Sequence, residues 1–329
     1  MSLLNKLPSV GQKRGWPWDI EVNDDIYSSK EQWPKISIVT PSYNQGKFIE
    51  ETIRSILLQN YPNLEYIIID GGSKDDTVEI IKKYEKWITF WVSEKDKGQA
   101  NAINKGIDKC SGDIFNWINS DDYLAPNALL NIAEAFKSGY TIAGKVYNFY
   151  DNDPEFRDVI ENKELTGSQF ISLKSTFHQP GVWCDLNNIK ATGKFQENSS
   201  YYFDRIFFTT YFVKFKKVVY SDQVLVHFRY HENSKTLVIR DSHADELIEF
   251  YNQLLGKPLF KPYKKEIKSA LKYQLLPEKH ISDWEYQNAH KNIGIRLSSY
   301  LGLMLRKPEL IQTRHFFTKL KRSVLHNLT

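Results

Sequence analysis

Between residues 36 and 118 the chain switches hydrophobic period repeatedly, and this alternation limits its fold more than any other feature. Ile36-Ser37-Ile38-Val39-Thr40 is a short β-branched run stopped by Pro41. Phe48, Ile49, Ile53, Ile56 and Leu57 then recur at helical spacing up to Gln59. Leu64–Ile69 is a second apolar run, closed by Asp70-Gly71-Gly72-Ser73, and Asp75 or Asp76 is placed to cap a helix through Tyr84. Thr89–Val92 predicts a third strand, Gln99–Lys109 a third helix and Ile114–Ile118 a fourth strand. Strands separated by helices in this way predict a parallel sheet with right-handed crossovers. Ligands of such sheets gather beyond the carboxyl ends of the strands.

The loops at those ends are Pro41-Ser42-Tyr43-Asn44, Asp70-Gly71-Gly72-Ser73, Glu94-Lys95-Asp96-Lys97-Gly98 and Asn119-Ser120-Asp121-Asp122. Together they describe one polar rim. Two adjacent carboxylates in a partly desolvated site repel by roughly 4 kcal/mol at an effective dielectric near 20. Either one is protonated or a cation lies between them. A hard divalent ion, Mg²⁺ or Mn²⁺, is the natural partner, and such ions take one or two carboxylates plus phosphate oxygens. The plainer alternative makes Asp121 and Asp122 turn residues that cap a helix near Pro126. Tyr43 is placed to lie against a flat base, and Asp70 to accept bonds from a base or ribose. The first strand is followed by neither G-x-x-x-x-G-K-[ST] nor G-x-G-x-x-G, which disfavours P-loop enzymes and Rossmann dehydrogenases.

Beyond Pro126, suited to a first helical turn, Asn127–Lys137 reads as a helix. Residues 140–237 read as mixed α/β continuing the same domain, with strands at Tyr147–Tyr150 and Val224–Arg229, and residues 241–329 read mainly as helices. At 329 residues, with 41% hydrophobic content, the chain can bury a large core. Cys110 and Cys184 form no metal-ligand spacing, and a reducing compartment is expected. With no leader-like N-terminal segment and no run of 18 apolar residues, the expected location is cytoplasmic.

The series TPSYNQGKFIEETIRSILLQNYPNLEYIIIDGGSKDDT, SEKDKGQANAINKG and INSDDYLAP resembles the nucleotide-binding half of family 2 glycosyltransferases, inverting enzymes of GT-A fold. FHQPGVW, GKFQENSSYYFDR and FRYHENSKT resemble the acceptor half of a bacterial surface-polysaccharide subgroup. The resemblance implies a mixed, mostly parallel α/β sheet over residues 36–240. Residues 36–130 would form the nucleotide-sugar half and 131–240 the acceptor half, between an N-terminal extension, 1–35, and a basic helical extension, 241–329. It implies transfer of a hexose or N-acetylhexosamine from a nucleotide-diphospho-sugar, expected to be UDP-linked, to a glycan or lipid-linked glycan. The alternatives are a non-catalytic sugar-nucleotide-binding protein and a nucleotidyltransferase. A Gly-rich basic loop, normal in the second, is missing after the first strand.

Residue by residue, the resemblance assigns Pro41, Tyr43 and Asp70 to the nucleoside and places Asn44 with them in the nucleotide-sugar site. Asp96 and Asn104 fall near the sugar nucleotide. Asn119 stands where the family often has its first Asp, so it can bond a ribose hydroxyl or metal-bound water without adding charge. Asp121 and Asp122 form the metal-binding end of that motif. Asp204 aligns as the general base, although Gln196, Arg205, Ile206 and Phe208 depart from the subgroup pattern, and Glu197 is the reserve. The competing reading of Asp204 is an ion pair. His178 and Gln179 are placed toward the acceptor or diphosphate. His227, Arg229 and His231 alternate on one strand face, where Arg229 would contact the diphosphate and His231 would complete the metal site. A zinc site lacks any Cys or Glu at ligand spacing.

Residues 257–329 hold 15 Lys and Arg against 5 Asp and Glu. Leu303–Lys307 and Phe316–Arg322 combine apolar and cationic positions, which suits peripheral contact with anionic lipid, the plainer alternative being a solvated basic face. No recognition motif favours nucleic acid.

Overall fold

The computed structural model describes residues 2–276 apart from 152, 200, 233 and 235–243, together with 279, 302, 303 and 305–307. The four apolar runs form strands β1 (Ile36–Ser42), β2 (Leu64–Asp70), β3 (Phe90–Ser93) and β4 (Ile114–Trp117). They pair in parallel in the order β3-β2-β1-β4. Helices α1 (Ile49–Leu57), α2 (Thr77–Tyr84) and α3 (Gln99–Lys109) make the crossovers. Strands buried on both faces need continuous apolar sequence rather than alternation, and β1 is buried at every position. Asp75, not Asp76, ties down the start of α2: its carboxylate accepts from Thr77 N and Gly46 N at 3.2 and 2.9 Å.

The second half is β5 (Tyr123–Leu124), α4 (Ala128–Ala135), β6 (Thr141–Tyr150), β7 (Asp153–Glu161), α5 (Gly167–Ile171), β8 (Val182–Asp185), α6 (Leu186–Thr192), α7 (Phe203–Lys214) and β9 (Val218–Tyr230). The sheet continues β4-β8-β6-β9-β5, with β7 on β6. Here β8 runs antiparallel to both neighbours while β6 and β9 are parallel. Pro126 lies outside α4 rather than in its first turn, because Asn127 takes a left-handed φ of 61° before the helix begins.

The chain divides into two compact units, Met1–Gly167 with Ser175–Leu237, and Ser168–Lys174 with Val238–Thr329. Residues 1–35 pack into the first: Leu7, Val22, Tyr27 and Trp33 join its core. Buried Arg54 of α1 donates to the carbonyls of Pro8, Pro17 and Trp18 at 2.7–3.2 Å. In the second unit, the helix Ala244–Leu254 is held by Tyr251, whose hydroxyl donates to the Phe170 and Ile171 carbonyls. A short 3-10 segment, Pro258–Tyr263, leads into the helix Lys264–Ala270. Among the described residues no helix is long and apolar enough to cross a membrane. Phe316–Arg322 and Lys235 lie outside the described residues.

Candidate active site

At the carboxyl end of the parallel strands the first three loops are stitched to one another. Gly71 N donates to the Ser42 carbonyl at 2.8 Å, Asn44 N to Ser73 Oγ at 2.7 Å, and Lys74 N to Asn44 Oδ1 at 2.9 Å. Asn44, expected to bind the nucleotide sugar, thus spends its backbone N–H and side-chain oxygen on the neighbouring loop. Its left-handed φ of 52° suits that turn. Asp70 is buried and accepts from Gly72 N, Ser73 N, Ser73 Oγ and Ser93 Oγ at 2.5–3.1 Å. Three of those four bonds fall on Oδ2, leaving Oδ1 with one. Pro41 is buried in β1 opposite Ile69, whereas Tyr43 is 59% exposed at the loop tip. The Asp96 carboxylate lies against Gly71, where a Cβ would meet its Oδ2 at 2.9 Å. A buried Ser42 hydroxyl at the end of β1 has no hydrogen-bond partner.

The fourth loop treats its two acids differently. Asp122 is completely buried: its Oδ1 accepts from Arg229 N at 3.0 Å and its Oδ2 from Asn119 Nδ2 at 3.2 Å. Burial, reinforced by the adjacent Asp121 charge, drives its pKa well above the usual carboxylate range, and the two donors only partly oppose this. Asp121 keeps 19% of its side chain exposed, and its Oδ2 sits 3.0 Å from His231 Nε2. Asn119 is fixed from both sides, because Gln99 Nε2 donates to its Oδ1 at 2.7 Å. Asp122, expected on the metal, is instead a buried anchor for the turn. Asp121 is the more open acid of the two, and its partner His231 is nearly buried, 8% exposed and 4.6 Å from the Phe48 ring.

Arg229 also departs from expectation. Its guanidinium binds Glu51 Oε2 at 2.5 Å, Asp151 Oδ1 and the Asp121 carbonyl at 3.0 Å, and lies between the rings of Phe48 and Phe149. With each of its three nitrogens bonded to a protein acceptor and its side chain only 7% exposed, it serves as a buried tie between loops. Burial raises the pKa of Glu51 more than Arg229 lowers it. Asp151, with Lys47 as a second cation, is lowered despite burial. His227 shares the face but stacks flat on Tyr123 at 4.6 Å, and burial, then Arg229, push its pKa down to about 4.

Around β4 the expected acceptor residues divide as well. Asn104 is spent on the backbone of Phe195, donating to its carbonyl and accepting from its N–H, both at 2.9 Å. It also donates to Glu197 at 3.1 Å, so it pins a loop rather than facing a sugar. Exposed Glu197 is lowered by bonds from Asn101 and Asn104. Buried Gln179 donates to Asn116 Oδ1 and the Trp117 carbonyl at 2.8 and 3.1 Å, fastening FHQPG to β4. His178 Nε2 pairs with Asn148 Oδ1 at 2.9 Å, and burial holds its pKa near 4, leaving the ring neutral. Asp204 opens α7, its Oδ1 accepting from Arg205 N at 2.6 Å. Its neighbour Phe203 packs 6.3 Å from Trp117, which sets the start of α7 beside the carboxyl end of β4. Burial pushes Asp204 up to about 6.

Sequence reasoning missed Glu51, Asp151, Gln99 and the Ser42 hydroxyl. Glu51 and Arg229 are 178 positions apart, and no local pattern marks either acid. Gln99, first residue of α3 after Gly98, carried the one local signal, a polar helix start beside the rim.

Fold and rim together define an α/β protein whose polar loops gather at the carboxyl end of a mostly parallel sheet. Residues 37–200 match the family described as glycosyl transferase family 2, and the chain belongs to that family. An uncharacterised glycosyltransferase of Rickettsia typhi is 29% identical over 214 residues, 62% of this chain and 66% of the relative. TuaG of Bacillus subtilis, assigned to teichuronic acid biosynthesis, is 39% identical over 92 residues, 27% of this chain and 36% of the relative. The chain spans about half to two thirds of the length of the first curated relatives it matches. Among solved structures, S. aureus TarS 1–349 in complex with UDP-GlcNAc has a TM-score of 0.59 at 18% identity, covering 84% of this chain and 79% of that one. A Pyrobaculum calidifontis mannosyltransferase in complex with GDP-Man and Mn²⁺ has a TM-score of 0.55 at 18% identity, covering 91% and 88%. The fold is therefore that of GT-A glycosyltransferases, as the alternating sequence and its resemblance predict.

Proposed function

We propose that the chain is an inverting glycosyltransferase that moves a hexose or N-acetylhexosamine from a nucleotide-diphospho-sugar, most simply a UDP-sugar, to a glycan or lipid-linked glycan of a bacterial surface polysaccharide. The observation that carries this is the Asp121–His231 pair, made where the end of β9 meets the fourth loop of a rim whose first loop presents Tyr43. The TarS complex with UDP-GlcNAc supports the donor class, and the likeness to TuaG supports the acceptor class. Tyr43 lies against the base, and the remaining lone pair of Asp70 receives a base or ribose donor. Asp96 sits beside Gly71 near the donor.

A carboxylate and an imidazole 3.0 Å apart fit Mn²⁺ or Mg²⁺, with Mn²⁺ the better match to a nitrogen donor. Asp121 and His231 would hold that ion, and the complex of the Pyrobaculum relative with Mn²⁺ supports the assignment. When bound, it would stabilise the negative charge of the departing nucleoside diphosphate. Asn119 and Asp122 keep the turn in place. Asp204 takes the proton from the acceptor hydroxyl. That oxygen forms a bond to the anomeric carbon as the opposite carbon–oxygen bond to the diphosphate breaks, which inverts the centre. A carboxyl pushed to about 6 is ionised at neutral pH, yet more basic than an exposed aspartate.

The test is release of nucleoside diphosphate from UDP- and GDP-sugars with Mn²⁺ and a glycan acceptor. Asp204→Asn should cut transfer by about 10²–10⁴-fold while leaving nucleotide binding intact, and wild-type rate should rise as pH passes about 6. Unchanged transfer in that variant removes Asp204 from the role.

A further inference from the structure

The second compact unit carries a surface that the transfer reading leaves unused. Lys261, Lys264, Lys265, Lys268 and Lys272 recur at spacings of three and four along the 3-10 segment Pro258–Tyr263, the helix Lys264–Ala270 and the wide turn Leu271–Leu275. All five are exposed. At about 100° per residue they fall within one face roughly 100° wide. The other side is apolar and enclosed: Phe260, Ile267 and Ala270 are buried. Between residues 257 and 276 the single acid is Glu266. Among the described residues no carboxylate forms an ion pair with any of the five. Like charges at this spacing repel, so the stripe costs the helix stability unless an anion lies over it.

The exposed apolar side chains argue for the occupant. Leu259, Tyr273 and Leu276 are exposed within the same twenty residues, and Lys272 Nζ lies 4.9 Å from the Tyr273 ring. A soluble polyanion offers nothing to these three. The interfacial layer of an anionic bilayer takes up both parts, apolar residues at the headgroup boundary and ammonium groups among the phosphates.

We propose that this lysine stripe docks the protein on the surface of an anionic phospholipid bilayer. The surface is independent of the donor-site residues, so its test does not depend on the transfer reading. The full chain is mixed with phosphatidylcholine vesicles and with vesicles in which about a third of the lipid is phosphatidylglycerol, and flotation measures the bound fraction. Binding is expected to the anionic vesicles only, with release in about 1 M salt, where screening extends only about 3 Å. Each lysine contributes about a factor of five, so Lys264→Gln with Lys268→Gln should weaken partition roughly 25-fold. Lys264→Arg with Lys268→Arg should preserve it. Thermal melting of both variants reports that the fold is intact. Equal binding to neutral vesicles, an unchanged Lys-to-Gln variant, or loss only when the cations of residues 306–322 are neutralised would overturn the proposal. So would retention on duplex DNA without vesicle binding.

Discussion

Replacing Arg229 by Met tests whether the buried guanidinium holds the Asp121–Asp122 turn. Met keeps apolar contact with Phe48 and Phe149 but removes the bonds to Glu51, Asp151 and the Asp121 carbonyl. Removing one partner of a buried pair costs about 3–5 kcal/mol. Glu51 and Asp151 retain 19% and 24% exposure, so water recovers part of their solvation and the expected loss is about 3 kcal/mol. The sign with pH follows from Glu51. Burial already raises its pKa, and Arg229 is the main opposing influence. Without Arg229 the folded-state pKa rises further above the unfolded value. That adds a penalty absent when Glu51 is protonated in both states and growing as pH climbs through the raised folded pKa. Urea unfolding of the full chain at pH 5 and pH 8 should therefore show a gap from wild type that is wider at pH 8. A gap under about 1 kcal/mol, or one wider at pH 5, would refute the account. Arg229→Lys keeps the charge but not the fork and should lose less.

Glu65 at the amino end of the sheet is pushed up by burial, yet bonds from Lys35, Ser111 and Ser37 hold it at about 2. Its stabilisation is present above its ordinary value of 4.5 and is lost as pH falls toward 2. Glu65→Gln should cost about 2 kcal/mol near neutrality and flatten the acid limb of stability between those values, read by urea midpoints across pH. Asn119→Asp removes a donor 3.2 Å from Asp122 and adds a like charge, so its melting temperature should fall without metal. Added Mn²⁺ should then raise that temperature more than it does for wild type. Equal gains would argue against an ion seat beside Asp121.

The parallel half was legible because its strands are buried on both faces, and continuous β-branched sequence is what that environment selects. Predicted and observed limits for β1 to β4 agree within a residue or two at each end. β5, two residues long, and β7, an edge strand of charged sequence, present no such run. The N-terminal 35 residues also read as an appendage, yet Tyr27 and Trp33 are buried in the core. Their hydrogen bonds go to Gln59 O and Tyr27 O, and Trp16 donates to Leu124 O. Scattered aromatics among Pro, Gly and charge give no period, so only the folded partner reveals what they cover.

Site chemistry was legible by residue type and illegible by role. Asp, Asn, Gln, His and Arg suit a ligand site because they carry several directed bonds, and the same capacity lets them hold loops together. What separates the two uses is whether the bonds close inside the protein. Asn104, Gln179 and Arg229 close theirs on Phe195, Asn116 and Glu51. Asp122 closes both oxygens on Arg229 and Asn119, while Asp121, one residue earlier, pairs one oxygen with His231 and keeps 19% of its side chain exposed. The difference arises at β9: the backbone N–H of Arg229 takes one acid inward, its Nε takes the carbonyl of the other, and the Asp121 side chain is left facing out. Adjacent carboxylates of one sequence motif thus acquire opposite duties from a strand more than a hundred residues away, and the buried duty is what fixes the exposed one in place.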